Sequence, residues 1–153
     1  MRFGAHLVDA ARLAFRRSRC EAAASGIRTL ACAAGRIRVF DSGPERHDSP
    51  VVVIAPDGPN AIEHYSELVR LLAGQLRVVV FDLPGFGRSY PSADFRFRLA
   101  DGAKATLEVL DALDIRRATL AFPCANGFYA AAVARAAPDR VAALVLAQTP
   151  SYP

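Results

Sequence analysis

The sequence predicts an α/β fold: a mostly parallel sheet, opened by an N-terminal antiparallel hairpin, with helices on both faces. Four short apolar runs rich in Val, Ile and Leu (VVVIA at 51–55, LRVVVFD at 76–82, ATLAF at 118–122, VAALVLA at 141–147) carry this expectation. Their lack of polar alternation is the pattern of strands buried on both faces. Between them lie segments whose apolar residues recur at helical spacing, and such alternation calls for a parallel sheet with crossover helices. At 153 residues, with 52% hydrophobic and 22% charged side chains, the chain suits one domain large enough to bury a core.

Taken in order, residues 1–25 read as an amphipathic helix, since Phe3, Leu7, Ala11 and Phe15 recur on one face. Its simplest role is packing on its own domain or a partner; membrane-surface contact and an organellar transit segment are the other readings. Residues 26–153 form the domain. In RTLACAAGRIRVFDSG two extended runs flank Ala34-Gly35, a hairpin signal. GPERHDSP, 43–50, is a turn-rich loop. After the 51–55 strand and the APDGPN loop, Ile62, Tyr65, Leu68, Val69 and Leu72 mark a helix over 61–74, stopped by Gly74. The strand 76–82 leads into LPGFGRSYPS, a glycine- and proline-rich loop. A helix over 99–114, the strand 118–122, a helix over 125–137 and the strand 141–147 complete the order.

Charge and cysteine usage exclude several classes. The net charge of +4 comes from scattered arginines, with Arg16-Arg17-Ser18-Arg19 the densest patch and no nucleic-acid motif beside it, so no nucleic-acid partner is expected. No apolar run approaches the roughly 20 residues that span a bilayer, and no transmembrane segment is expected. Cys20, Cys32 and Cys124 are odd in number and fit neither a zinc site nor a redox pair. A reducing, cytoplasmic compartment suits them. No metal or organic cofactor is implied.

The stretch that points to chemistry is LAFPCANGF, 120–128. It places Cys124 where a buried strand gives way to a helix, and in open α/β sheets ligands gather at the carboxyl ends of strands. A side chain on such a turn stands clear of the backbone, and the helix N–H groups and dipole beside it favour a thiolate. The next residue, Ala125, can offer its backbone N–H to an oxyanion.

Three stretches together resemble the α/β-hydrolase family over about residues 28–151. LAFPCANG lies where the family's nucleophile elbow, Gly-x-Ser-x-Gly, falls. FDLPGFGRS (81–89) is similar to its Asp-x-x-Gly-x-Gly-x-Ser loop after the fourth strand. APDRVAALVLAQTPS (137–151) is similar to the segment around its sixth strand. The resemblance implies the N-terminal half of that fold, strands one to six. It implies an ester- or thioester-type hydrolase or acyltransferase with Cys124 as nucleophile and a small-molecule substrate. By position, Asp57 supplies the second oxyanion N–H. The departures are Cys124 for serine, and Phe122 and Asn126 for the flanking glycines. Asp57 also brings a carboxylate near developing negative charge unless it turns away. Phe122 is expected to fit the elbow poorly.

The family places its acid and histidine after the nucleophile. Only 29 residues follow Cys124; they contain Asp139 as the one acid and no histidine. His6 and His47 are expected to face solvent. His64, which opens the first crossover helix, is the one histidine placed to approach the site, as a possible base or as a helix-surface residue. The rest of a triad then has to come from another chain or from further sequence. Cys124 has two other readings, a small residue filling the elbow and a redox-sensitive thiol. The whole chain has two as well, a non-catalytic ligand-binding or interaction module and a truncated inactive fragment. Finally, Val141 to Leu146 is expected to be an uncharged outer strand, a template for self-association or for a complementary chain.

Overall fold

The computed structural model describes residues 26–43 and 49–150. The expected helix at 1–25 and both His6 and His47 lie outside these residues. The chain forms one seven-stranded sheet in the order β1-β2-β4-β3-β6-β7, with a short β5 pairing with β2. β1 (Ile27–Cys32) and β2 (Gly35–Asp41) make the hairpin, antiparallel with Cys32 opposite Gly35. β3 (Val51–Ile54), β4 (Arg77–Phe81), β6 (Ala118–Ala121) and β7 (Val141–Val145) are mutually parallel, while β2 joins β4 antiparallel. Each parallel strand ends a residue or two before its apolar run does. Ala55, Asp82 and Phe122 thereby leave the ladder and begin the loops at its carboxyl end.

The apolar runs are strands because both faces of the sheet are covered. Side chains alternate between two cores: Val79 and Phe81 enter one, Val78 and Val80 the other, all fully buried. The larger core lies under α2 (Leu99–Ala112) and α3 (Gly127–Ala136), which contribute Ala105, Val109 and Leu110, and Ala130 and Val133. The smaller lies under α1 (Ser66–Leu72), through Val69 and Leu72.

Three local features depart from the sequence reading. The helix expected over 61–74 is a 3-10 turn, Ile62–Tyr65, followed by α1. The helix expected over 125–137 opens with a 3-10 turn at Cys124–Asn126. Tyr90–Pro91, inside the expected loop, forms β5 against Gly35 and Arg36 of β2. A proline is tolerated there because the pairing is at the sheet's margin. At the other end β7 pairs with β6 alone among the described residues, leaving Val145 and Leu146 half exposed.

The loop after β4 is pinned by Asp82, buried to 1% exposure. Its carboxylate accepts from the N–H of Ile62 at 3.0 Å, from the N–H of Arg88 at 3.1 Å and from the Arg38 guanidinium at 3.4 Å. Arg38 also binds Glu63 at 2.7 Å, and its own N–H donates to the Ser89 hydroxyl at 2.8 Å. Gly87 has φ +52°, and a Cβ there would run into the Asp82 carboxylate, so the loop closes only over glycine.

A second, partly buried pair ties the hairpin to β4. Arg77 donates to Asp41 from Nε at 3.1 Å and from Nη2 at 2.8 Å. Burial alone raises the Asp41 carboxyl. The hydrogen bonds from Arg77 and from the Gly43 N–H, with the charges of Arg77 and Arg28, nevertheless leave it below its usual 3.8. A depressed folded-state value means stability that is present above 3.8 and lost as pH falls through that depressed value. Asp41→Asn is therefore expected to be less stable than wild type by about 1–3 kcal/mol at neutral pH. The gap should close as pH drops below the usual aspartate value. Urea melts of both proteins at a series of pH values check this; a gap that stays constant into acid contradicts it.

Candidate active site

The loops after β3, β4, β6 and β7 all leave the same end of the sheet. β3 and β6 are hydrogen-bonded neighbours, yet the helices that follow them cover opposite faces. Their loops diverge and leave a crevice, the place where open α/β sheets bind ligands. Cys124 stands on the β6 side of that crevice and Asp57 on the β3 side.

Cys124 has φ +52°, a left-handed conformation that costs a non-glycine residue about 1–2 kcal/mol. The turn from β6 into α3 is therefore strained, and it turns the thiol outward: the residue is exposed. Three contacts hold the turn. The Cys124 N–H donates to the Ala147 carbonyl at 2.8 Å, in the segment after β7. Gly127 lies so close to Thr149 of the same segment that a Cβ would collide with its side chain. Asn126, 2% exposed, donates from Nδ2 to the Pro56 carbonyl at 2.8 Å, across the crevice. Because the peptide unit is planar, fixing the Pro56 carbonyl fixes the attached Asp57 N–H. Ala125 is the second residue of the 3-10 turn, in the first turn where backbone N–H groups have no partner within the helix.

Phe122 fits where a glycine was expected to be needed. Its ring is fully buried in the larger core, edge-on to Phe81 at 5.9 Å between centroids. The expectation of a poor fit is corrected: the side chain packs into the core under α2 and α3 and is not among the residues that line the cleft.

The cleft beside Cys124 has a volume of about 380 Å³. Cys124, Ala125 and Asn126 form its floor with Asp57 and Gly58 opposite, and Phe86, Leu99, Phe128 and Tyr129 wall it. The Asp57 carboxylate is drawn toward α1. Its Oδ1 accepts from Asn60 Nδ2 at 3.1 Å and from the Tyr65 hydroxyl at 3.3 Å. Burial, then the Asp57 charge, pushes the Tyr65 hydroxyl up to about 12, so at neutral pH it keeps the proton it donates to Asp57.

Cys124, Ala125 and Asp57 thus share one cleft; His64 does not line it. The imidazole is exposed, and its Nδ1 accepts from the Ala61 N–H at 2.9 Å, which caps the 3-10 turn. Asp139 lies in the turn before β7, at the opposite end of the sheet. The Asn126–Pro56 bridge and the support from Ala147 and Thr149 escaped the sequence reading. No local pattern signals a bond across 70 positions. The aromatic walls had a signal: Phe128 and Tyr129 follow the elbow at the start of α3. Among the described residues no group of His, Cys, Asp and Glu side chains is placed to hold a metal ion, and no helix is long and apolar enough to cross a membrane.

A family model described as alpha/beta hydrolase fold matches residues 50–153. Over 114 residues the chain is 34% identical to 2-hydroxy-6-oxononadienedioate/2-hydroxy-6-oxononatrienedioate hydrolase from Cupriavidus pinatubonensis, spanning 72% of this chain and 39% of that protein. Over 82 residues it is 35% identical to zearalenone hydrolase from Bionectria ochroleuca, spanning 51% of this chain and 31% of that protein. The chain therefore spans well under half the length of these relatives. The crystal structure of a carboxylesterase from Bacillus subtilis superposes with a TM-score of 0.71 at 22% identity, covering 84% of this chain and 47% of that one, a likeness of fold.

Asn126→Ala is expected to leave the buried Pro56 carbonyl without its donor and to lower stability by about 1–3 kcal/mol. Chemical denaturation tests this, and a loss within about 0.5 kcal/mol, the range of ordinary surface substitutions, would show that the bridge holds nothing.

Proposed function

The chain belongs to the alpha/beta hydrolase fold family, and from that premise we propose that it acts on esters or thioesters with Cys124 as nucleophile. The observation that supports this best is the outward-facing thiol on a strained turn, in a cleft that Ala125 and Asp57 also line; on this reading their backbone N–H groups are the oxyanion donors. In the proposed step the Cys124 thiolate sulfur attacks the carbonyl carbon. Negative charge moves to the carbonyl oxygen, facing those N–H groups. The C–O bond to the leaving alcohol then breaks, the alkoxide takes a proton from water, and a thioester on Cys124 remains. A thiol supports this step without a neighbouring base, because its thiolate is already a good nucleophile. Release of the acyl group by water is another matter. General-base assistance contributes about 10² to 10⁴-fold, and the 153 residues hold no histidine after Cys124 to give it. On this reading a histidine and an acid come from another chain or from further sequence, and His64 serves as a cap.

A second reading, a non-catalytic ligand-binding or interaction module, is favoured by Asp57, which brings an acidic side chain to the lining of the cleft. A reactive thiol has to remain reduced, so a cytoplasmic location is part of the proposal. So is self-association of the isolated chain through the open edge of β7, Val141 to Leu146, with a second copy as the occupant. An uncharged, half-exposed edge strand offers its free backbone groups to another strand.

Incubation with excess 4-nitrophenyl ester should release about one equivalent of nitrophenolate per chain and leave an acyl group that mass spectrometry maps to Cys124. Cys124→Ala should fall to background, and labelling that persists in it would sink the nucleophile role. Light scattering over a concentration series tests the edge. Val145→Lys should weaken association, and equal association of both proteins, or a monomer throughout, would refute it.

A further inference from the structure

We propose that the cleft at Cys124 is selective by charge: it takes uncharged, apolar acyl groups and turns away acyl groups that carry a carboxylate, with Asp57 as the selecting residue. The inference rests on the reading of Cys124 as nucleophile.

The walls are apolar and aromatic, from Phe86, Leu99, Phe128 and Tyr129, and no cation is among the residues that line the cleft. Its charge comes from Asp57, and that charge is uncompensated. The carboxylates that hold the fold are matched with arginines: Asp41 with Arg77, Glu63 and Asp82 with Arg38, Asp111 with Arg140. Asp57 has only neutral donors, the Asn60 amide and the Tyr65 hydroxyl, and no ion pair among the described residues. Arg88, in the loop after β4, is turned to Glu63 at 3.6 Å. Lys104 and Arg135 line a separate groove between α2 and α3, beyond the shared wall of Leu99 and Phe128. An apolar acyl chain therefore meets rings and leucine, whereas a carboxylate leaves water for a site where the one fixed charge repels it. The same field bears on the reacting carbonyl of every ester alike, so it leaves the ratio between neutral and anionic acyl groups unaltered.

The full chain is treated with two aryl esters of equal length, 4-nitrophenyl hexanoate and the mono-4-nitrophenyl ester of adipic acid. Single-turnover rates of nitrophenolate release are divided by each probe's rate with 2-mercaptoethanol, a thiol without a carboxylate, which removes intrinsic reactivity. The corrected ratio of neutral to anionic probe should be about tenfold in wild type. It should fall toward parity in Asp57→Asn, which keeps the backbone N–H and the shape of the side chain. Added salt should lower the wild-type ratio, so the proposal remains testable if the variant folds poorly. Parity in wild type, or a ratio indifferent to both salt and Asp57→Asn, overturns the charge selection while leaving the nucleophile intact. Absence of any Cys124 adduct with either probe overturns both readings.

Discussion

Everything at the candidate site depends on β3 and β6 being neighbours whose following helices leave for opposite faces. Parallel pairing of Ile54 with Ala121 brings the two strand ends level. Divergence of α1 and α3 then opens a gap directly beyond them. The loop from β3 can do nothing but face the turn from β6, so Asp57 meets Cys124 although 67 residues separate them in the chain. Asn126 spans the gap to Pro56 and sets its width. Loss of the neighbour relation would take the cleft and the bridge together.

A gap alone does not present a thiol. The left-handed conformation at Cys124 does, and its cost is met by contacts outside the turn. Ala147 accepts from the Cys124 N–H, and Thr149 packs where Gly127 has no side chain. Both lie beyond β7, so the outermost strand among the described residues is also the one that delivers the support for the elbow. The β4 loop is built on the same principle with different chemistry. Asp82 is buried among backbone N–H groups, and Arg38 balances it together with Glu63. One constraint is steric and the other electrostatic, and both end in rigid loops at the carboxyl edge of the sheet.

Much of this was legible in the sequence. The parallel strands, the hairpin at Ala34-Gly35 and the crossover helices follow from periodicity, because an element buried on both faces has no polar face to show. The elbow and the β4 loop follow from the resemblance of LAFPCANG and FDLPGFGRS to a known family. What stayed hidden is of two kinds. The two 3-10 turns depend on who satisfies their first N–H groups: Asp82 binds that of Ile62, and Ala147 that of Cys124. These partners are remote in sequence. Phe122 was misjudged because sequence shows which residue replaces a glycine but not which way its side chain points. Here it points into the core against Phe81.

The departures at the site fit one another better than they fit a serine elbow. A hydroxyl in this turn would need a base for its first step, and His64 is committed to the Ala61 N–H. A thiol needs none, so on the proposed reading acylation requires only what the 153 residues contain: the strained turn, two N–H groups and a cleft. The Asp57 carboxylate would be a liability if it faced the oxyanion. Tyr65, whose hydroxyl burial keeps protonated, and Asn60 draw it aside. Asn126, too large for a glycine's role in the turn, finds a use for its amide on Pro56. Asp57 and Asn126 thus each have a compensating contact in the crevice, and Phe122 has its own in the larger core. The step that lacks its groups is deacylation, which is the step that a histidine and an acid after Cys124 would serve.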